Sequence, residues 1–326
     1  MLDLNVTAQT WPIRGSFAIS RGRRSAVEVV VVELRDGDRH GRGECVPYAH
    51  YGESIASVTA LIESQGKALA GGLDREALQA ALPAGAARNA LDCALWDLAA
   101  KRAGRRAWEL AGIAQPALLT SAYTLSLDSP EKMQAAARAN ARRPLLKLKL
   151  AGPGDLERVE AVRAGAPRSR LIVDANEGWT VDIYRELAPR LARLGVEMIE
   201  QPLPAGRDAA LAELPHPVCI CADESCHDRS SLAGIIGKYD MINIKIDKTG
   251  GLSEALELRT EARARGLKIM VGCMLATSLA MAPAMLVAQG AEVVDLDGPL
   301  LLDGDREHGI EYDNGLMQPP AAELWG

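Results

Sequence analysis

Short apolar runs alternate with amphipathic helical segments from about residue 117 onward, and no other feature of the sequence constrains the fold as strongly. Each run has the length and apolar character of a buried parallel strand, and segments such as DLERVEAVRAG have apolar residues at helical spacing. Eight β/α units close most simply into a (β/α)8-type TIM barrel, so we predict an α/β fold of that kind. The runs are LLTSAYTLSL, LLKLKL, RLIVDAN, VEMIEQP, PVCICADES, YDMINIKID, LKIMVGCM and AEVVDLDGP.

The main alternative fold is a doubly wound open sheet. Such a sheet would normally have a Gly-rich phosphate-binding turn after its first strand, and the chain has no such turn. Barrel closure is therefore the favoured interpretation.

The residues that precede the barrel have a different, α+β pattern. SAVEVVVVEL, RDGD and GRGECVPY read as strand, turn and strand, and GAARNALDCALWDLAAKRAG has apolar residues at the spacing of a helix. We therefore predict an N-terminal α+β domain over residues 1–116 and the barrel over 117–300. A C-terminal segment, 301–326, is expected to pack back on the N-terminal domain.

Composition excludes several classes of protein and of binding partner. The chain has 326 residues, of which 48% are hydrophobic and 25% charged, so it can bury a substantial core. Its net charge of -6 argues against nucleic acid or an anionic membrane as partner. No apolar run approaches the roughly 20 residues of a membrane helix, and MLDLNVTAQTWPI lacks the pattern of a secretion signal. The cysteines have neither zinc-site spacing nor disulfide density. We expect a cytoplasmic protein and leave homo-oligomerisation open.

A polar residue ends each of the eight apolar runs. Successive members of this set are 22 to 28 residues apart, which is one β/α unit each, so their side chains are expected at one end of the barrel. An acidic residue after a strand is often only the N-cap of the next helix. Three carboxylates on consecutive strands, with lysines on the strands to either side, favour a functional site instead. The set is Thr124, Lys149, Asp174, Glu200, Asp223, Lys245, Cys273 and Asp295.

The three carboxylates suggest a metal site. Asp174, Glu200 and Asp223 end the third, fourth and fifth strands, and three anions brought close together repel unless a cation lies among them. Hard oxygen ligands with room for water and substrate suit Mg²⁺, with Mn²⁺ as the less favoured occupant.

The lysines suggest proton transfer. Lys149 and Lys245 end the second and sixth strands, which face each other across an eight-stranded barrel. Lys147 shares the inward face of Lys149, where its charge would favour the neutral, basic form of Lys149 or bind a substrate carboxylate. A metal-bound carboxylate with one base on each side of the adjacent carbon describes 1,1-proton transfer, that is, racemisation or epimerisation.

These motifs resemble a known family. KLK, VDANEGW, IEQPL, ADES and NIKIDKTGG resemble the enolase superfamily, in particular its muconate-lactonizing subgroup with two opposed lysines. DLDGP, GECVPYAHYGES, LPAGAARNALDCALWDLAA, CADESCH and GCM are similar to dipeptide epimerases that act on L-Ala-D/L-Glu. The resemblance covers nearly the whole chain. It implies an N-terminal domain that caps the barrel mouth, one Mg²⁺ per active site, and inversion of a glutamyl α-carbon in murein peptide recycling.

Residue roles follow from this resemblance at matching positions. It implies that Asp174, Glu200 and Asp223 hold Mg²⁺ and that Lys149 and Lys245 are the two acid/base residues. Further implied substrate contacts are Asp295 and Asp297 to the ammonium end of the dipeptide, with Thr124 and Lys147 beside them. Cys273 either lines the pocket or packs in the core.

The loop AISRGRRSA sets specificity in this family. Its arginines could pair bidentately with the glutamyl side-chain carboxylate, and the resemblance favours Arg24, with Arg21 second. An acidic pair for an ammonium and an arginine for an extra carboxylate suit a dipeptide that ends in glutamate.

Four other functions stay open. A muconate-type cycloisomerase or an o-succinylbenzoate synthase would use the same metal and lysines, although their substrates have no ammonium for Asp295 and Asp297. A Schiff-base barrel enzyme would use Lys149 or Lys245 as a nucleophile. A non-catalytic metal-binding barrel would leave both lysines without a purpose.

Overall fold

The computed structural model describes residues 2–19 and 22–326. Within them, the N-terminal domain contains an antiparallel sheet of β1 (Asp3–Ile19), β2 (Gly22–Asp36) and β3 (Arg39–Cys45). Five α-helices of the described chain follow it: α1 (Ile55–Glu63), α2 (Gly66–Ala70), α3 (Arg75–Ala81), α4 (Ala86–Ala103) and α5 (Ala107–Leu110).

Helix α4 packs closely on β3 because two glycines face it. A Cβ added to Gly41 or Gly43 would clash with the α4 backbone at Ala94 and Ala90. The predicted helix over GAARNALDCALWDLAAKRAG therefore lies against the sheet, and most of its residues are buried.

The barrel is formed by parallel strands in chain order, each paired with the next. Ala122, just before the first barrel strand, donates its N–H to the carbonyl of Val294 in the last one at 2.8 Å, which closes the ring. This confirms the predicted barrel with an N-terminal capping domain. The short β4 (Leu119–Thr120) precedes the eight barrel strands of the described chain: β5 (Tyr123–Leu125), β6 (Leu145–Lys149), β7 (Arg170–Asp174), β8 (Val196–Glu200), β9 (Cys219–Ala222), β10 (Met241–Ile244), β11 (Lys268–Gly272) and β12 (Val293–Asp295).

Helices surround these strands. One β/α unit departs from the predicted pattern, because a 3-10 turn at Ala209–Glu213 follows β8 in place of an α-helix. The connection from β8 to β9 has prolines on both sides of this turn, at positions 202, 204, 215 and 217, and proline cannot donate to a helical hydrogen bond. The helices are α6 (Pro130–Ala139), α7 (Asp155–Gly165), α8 (Val181–Arg193), α9 (Leu232–Ile235), α10 (Ile246–Thr249), α11 (Leu252–Ala264), α12 (Ser278–Ala288) and α13 (Gly298–Leu301).

The N-terminal domain is bonded to the barrel through buried polar groups of α4. Arg88 donates to the carbonyls of Thr249 and Gly250 at 2.6 and 3.1 Å. Asp92 accepts from the backbone N–H of Ser253 at 2.9 Å. These bonds hold α4 at the junction of α10 and α11. This junction closely follows Lys245, one of the two lysines predicted to transfer protons.

The C-terminal residues return to the N-terminal domain. The N–H of Gly326 donates to Asp97 at 2.7 Å, and Arg42 donates to the carbonyl of Leu324 at 2.7 Å. Nearby, β14 (Leu316–Met317) pairs with both β13 (Tyr312–Asp313) and β4. No helix of the described residues has both the length and the apolar character needed to cross a membrane.

Candidate active site

A cavity of about 490 Å³ lies where the N-terminal domain covers the carboxyl ends of the barrel strands. This is the end at which barrel enzymes place their functional groups. Asp174 and Glu200 lie behind its wall, where their side chains are inaccessible to solvent. The other predicted site residues line it directly: Arg24, Thr124, Lys147, Lys149, Asp223, Lys245, Cys273, Asp295 and Asp297.

Strand register explains why these side chains meet. Lys149 pairs in register with Asp174, and Asp174 with Glu200, so the ends of β6, β7 and β8 lie side by side. Lys147 points to the same side of β6 as Lys149, because side chains on a strand alternate. Three strands separate β6 from β10 in either direction around the ring, so Lys149 and Lys245 approach the cavity from opposite sides.

Lys147 is the charge centre of this cluster. Its ammonium lies 2.6 Å from a carboxylate oxygen of Asp295, 2.6 Å from one of Glu200 and 3.3 Å from one of Asp174. Burial disfavours the charged amine, but these three carboxylates outweigh that effect and raise the pKa of Lys147 well above its usual value. These contacts therefore favour the charged form of Lys147 within the barrel.

The two opposed lysines each contact a carboxylate. Lys149 donates to Asp174 Oδ2 at 2.6 Å and lies 5.9 Å from the ring centroid of Phe17. Lys245 donates to Asp223 Oδ2 at 2.7 Å. Burial lowers the pKa of Lys245, but attraction by Asp223 and Glu200 raises it well above its usual value. That direction is opposite to the one that a general base requires, and it arises from the ion pair with Asp223.

The pKa values of the three carboxylates are shifted in different directions by their surroundings. Burial would raise the pKa of Asp174, but Lys149 and Lys147 hold it at about 2. Lys245 and a further lysine, Lys248, likewise keep the pKa of Asp223 well below its usual range in spite of its burial. Burial and the neighbouring Asp174 raise the pKa of Glu200. Glu200 is thus the acid whose negative charge is least well compensated.

The donor set fits a hard cation in its chemistry. Asp174, Glu200 and Asp223 are almost completely buried carboxylates on adjacent strand ends, and oxygen ligands of this kind suit Mg²⁺. As they stand, however, no three acidic, histidine or cysteine side chains in the described part of the chain are arranged to hold one ion. The reason is visible in the contacts, since each of these carboxylates is bridged by a lysine ammonium.

Two polar residues that the motif reasoning did not single out hold these acids in place. The amide of Asn243 donates to Glu200 Oε1 at 2.7 Å. The side-chain oxygen of Gln201 accepts from the backbone N–H groups of Asp223 and Ser225 at 2.9 and 3.1 Å. Their positions in the sequence could have indicated this role. Asn243 lies two residues before Lys245 on the inward face, and Gln201 directly follows Glu200.

The acidic pair after β12 lies beside Lys147. Asp297 Oδ2 accepts from the backbone N–H of Thr124 at 2.6 Å, and burial together with the charge of Asp295 raises the pKa of Asp297 to about 7. Asp295 Oδ2 binds Lys147, whereas its buried Oδ1 has no hydrogen-bond partner within the described residues. A buried acceptor in this state suits a donor supplied by a ligand.

Two segments of the N-terminal domain cover the cavity. Phe17, Ile19, Arg23 and Arg24 reach it from the β1–β2 hairpin. The guanidinium carbon of Arg24 lies 5.9 Å from the ring centroid of Tyr48, which belongs to the second segment. Arg21, the second arginine considered, lies outside the described residues.

The second covering segment, residues 46–51, is fastened to barrel loops. His50 Nε2 lies 3.0 Å from a carboxylate oxygen of Glu177, and the ring of Tyr51 packs edge-on against His227 with centroids 4.6 Å apart. Neither histidine is assigned to catalysis. Sequence reasoning missed the structural role of this segment, although the clustered aromatic residues of VPYAHY were a signal.

Cys273 lines the cavity wall at the end of β11. Burial strongly raises the pKa of its thiol, and Asp295 and Asp297 add to the effect. A neutral thiol of this kind is a wall residue and a poor nucleophile.

Comparison with known proteins identifies the family. The model of the mandelate racemase / muconate lactonizing enzyme N-terminal domain matches residues 1–112, and the enolase C-terminal domain-like model matches residues 132–323. The chain belongs to the enolase superfamily. The resemblance expected from the motifs is thereby confirmed.

Relatives within the superfamily are epimerases and racemases. The chain is 49% identical to the L-Ala-D/L-Glu epimerase of Escherichia coli K12 over 97% of this chain and 99% of that protein. It is 45% identical to the N-acetyl-D-glutamate racemase of a Pseudoalteromonas species, over 91% of this chain and 95% of that protein. This superfamily member is therefore an enzyme of the isomerase class.

One similar solved structure contains a bound ligand. An enolase family member from Agrobacterium tumefaciens with homology to dipeptide epimerases, holding sodium and L-Ala-L-Glu with an ordered loop, superimposes with a TM-score of 0.98. The two sequences are 53% identical, and the match covers 100% of both chains.

Proposed function

We propose that this enzyme is an L-Ala-D/L-Glu epimerase that inverts the glutamyl α-carbon by proton transfer between Lys149 and Lys245. The observation that carries the proposal is the approach of these two lysines from opposite sides of one covered cavity. Two bases on opposite faces of a carbon can remove its proton on one side and return a proton on the other. The product of that sequence is the inverted centre.

The charges around the cavity support a dipeptide substrate. Asp295 and Asp297 offer buried acceptors for an ammonium group, and Arg24 offers a planar donor for a carboxylate from the covering hairpin. A molecule with an ammonium at one end and two carboxylates fits this distribution. L-Ala-L-Glu is such a molecule, and the Agrobacterium structure was solved with it. We also propose the role in murein peptide recycling that the family resemblance implies.

We further propose that Asp174, Glu200 and Asp223 hold Mg²⁺, with Mn²⁺ as an alternative. When bound, the ion would supply Lewis-acid stabilisation of the negative charge that develops on the substrate carboxylate. Lys147, a fixed cation beside the same acids, would support that charge from the protein side. If Asp174 and Asp223 shared their charge with an ion, their contacts with Lys149 and Lys245 would be weakened but not removed.

The sequence of proton movements follows from these placements. One lysine in its neutral form accepts the α-proton of the glutamyl residue, and the opposed lysine in its charged form donates a proton to the other face. The covering segments lie over the cavity, which favours return of the proton from a lysine over protonation by bulk water. Reversal of the two roles serves the opposite epimer.

N-acylglutamate racemisation is a second candidate, because the Pseudoalteromonas relative is named for it. The two activities differ in one group, since an N-acyl substrate has no ammonium for Asp295 and Asp297. The test is an assay of the Mg²⁺-loaded enzyme with L-Ala-L-Glu and with N-acetyl-L-glutamate, followed by chiral chromatography of the glutamate released by hydrolysis. We expect kcat/KM to be larger for the dipeptide. A larger value for the N-acetyl substrate would favour the second candidate, and inactivity on both would reject both.

A further inference from the structure

Lys248 is a buried lysine that the proposed reaction does not use. It lies in α10, three residues after Lys245, and its side chain is completely buried. Its ammonium contacts three oxygens, which are Asp223 Oδ1 at 2.6 Å, the Asp223 carbonyl at 2.5 Å and the Asn243 carbonyl at 3.0 Å. A lysine has three donors, so this environment satisfies all of them.

These contacts divide the carboxylate of Asp223 between two lysines. Oδ1 binds Lys248, and Oδ2 binds Lys245. The additional bonds from Lys248 to the Asp223 and Asn243 carbonyls connect the ends of β9 and β10. The carboxylate therefore cannot rotate without breaking a buried charged hydrogen bond. Only Oδ2 of Asp223 is then left to face the cavity and to bind Lys245.

On the opposite side of the cavity, Lys149 forms no hydrogen bond with Lys248, Asp223 or Lys245 within the described residues. Its partner is Asp174, which also contacts Lys147, and both lysines belong to β6. A change at Lys248 would thus alter the surroundings of one proton-transferring lysine and leave the other in its place.

We propose that Lys248 is a positioning residue for Lys245: by holding Asp223 Oδ1, it fixes the orientation of the carboxylate that locates the Lys245 ammonium. The inference rests on the proposed function, since it assigns Lys248 to one face of the proton transfer. It predicts an asymmetric defect. Loss of Lys248 should slow proton removal by Lys245 and leave removal by Lys149 nearly unchanged.

The test measures solvent deuterium exchange at the glutamyl α-carbon from each epimer separately. L-Ala-L-Glu and L-Ala-D-Glu are incubated in D₂O with wild type or Lys248→Met, at Mg²⁺ concentrations shown to saturate each protein, and initial exchange rates are read by proton NMR. Lys245→Ala shows which epimer presents its proton to Lys245, because exchange from that epimer should disappear. If the wild type exchanges neither epimer, the proposed function fails and not the inference about Lys248.

For Lys248→Met we expect exchange from the Lys245-facing epimer to fall roughly 10- to 100-fold, the effect typical of removing a buried group that orients a functional side chain. Exchange from the other epimer should fall by less than about threefold, because Lys149 keeps its position. Equal losses from both epimers, or no loss from either, would overturn the proposal.

Two further variants guard against a purely structural effect. Lys101→Met removes a lysine that lies 2.8 Å from the buried Asp97, far along α4, and should leave the ratio of the two exchange rates at the wild-type value. Lys248→Gln retains a donor for Asp223 Oδ1 without the charge, and serves if Lys248→Met does not fold. It should shift the ratio in the same direction as Lys245→Ala, and a wild-type ratio in Lys248→Gln would count against the proposal.

Discussion

At the scale of single residues, the cavity end of the barrel contains several buried lysines, and a buried ammonium group is energetically costly. Lys147 is 1% exposed, and its ammonium is compensated by three carboxylates from three different strands. Buried ammonium groups are stable only when they are paired in this way. The pairing places positive charge where the proposed reaction develops negative charge. The same side chains thus serve the stability of the barrel and its chemistry.

Replacement of Lys149 tests the two-base arrangement at one residue. In Lys149→Ala, one face of the substrate loses its acid/base group, so epimerisation should fall by at least about 10²-fold. Exchange of the α-proton with D₂O should persist for the epimer that presents its proton to Lys245. Proton NMR of both epimers measures this. Loss of exchange from both epimers alike would indicate that Lys149 has no side-specific role.

Replacement of Lys147 should have a different effect. Lys147→Met leaves the buried carboxylates of Asp295, Glu200 and Asp174 without their shared cation. The free energy of unfolding should fall by roughly 3 to 5 kcal/mol. It should also weaken substrate binding and raise KM, because the developing negative charge loses a cation. Urea unfolding and steady-state kinetics measure the two effects. A variant with the stability and KM of the wild type would contradict the role given to Lys147.

At the scale of structural elements, the N-terminal domain is joined to the strand that carries Lys245. Asp247 follows that lysine in α10, and its Oδ1 accepts from the N–H of Val46 at 3.0 Å and from the amide of Asn89 at 2.9 Å. Val46 begins the covering segment 46–51. The buried side chain of Asp247 therefore aligns the cover, helix α4 and the end of β10.

This junction predicts a dependence of stability on pH. Burial raises the pKa of Asp247 to about 7, so the folded protein binds a proton that the unfolded chain releases near pH 4. Stability from this group is present at low pH and decreases as pH rises toward 7, by a contribution on the order of 4 kcal/mol. In Asp247→Asn this contribution should be absent, so stability should decrease less between pH 4 and 7 than in the wild type. Urea unfolding of both proteins between pH 4 and 8 measures it, and parallel profiles would refute the assignment.

The sequence predicted the barrel and the strand-end residues because both depend on a regular repeat. One polar residue per β/α unit and the two-residue alternation of LLKLKL place side chains at one end without knowledge of the final packing. The bond between Lys147 and Asp295 is different, since these residues are 148 apart and meet only when the barrel closes. The sequence assigned both residues to substrate, whereas in the structure they also bind each other.

The position of the covering segment also could not be predicted from the sequence, because it depends on long-range contacts. Residues 46–51 have no periodic pattern, and their position depends on contacts of His50 and Tyr51 with barrel loops far along the chain. The missing helix after β8 was also not predicted, although the prolines of that segment provided a local reason.

At the scale of the whole molecule, two domains enclose one cavity that neither could form alone. The barrel supplies the lysines and acids, and the N-terminal domain supplies the cover and Arg24. Because three buried carboxylates, Asp174, Glu200 and Asp223, meet at the barrel end, we propose that a cation binds there. EDTA should therefore abolish epimerisation and Mg²⁺ should restore it, as measured by polarimetry. Full activity in excess EDTA would contradict the proposed metal site.

The most direct test of the central proposal is incubation of L-Ala-L-Glu with the Mg²⁺-loaded protein in D₂O. Two-base transfer predicts that the glutamyl α-proton is replaced by deuterium, that L-Ala-D-Glu accumulates, and that the alanyl α-proton is retained. Proton NMR and chiral chromatography of the hydrolysed dipeptide measure all three. A dipeptide recovered without deuterium at the glutamyl α-carbon and without inversion would contradict the proposed function.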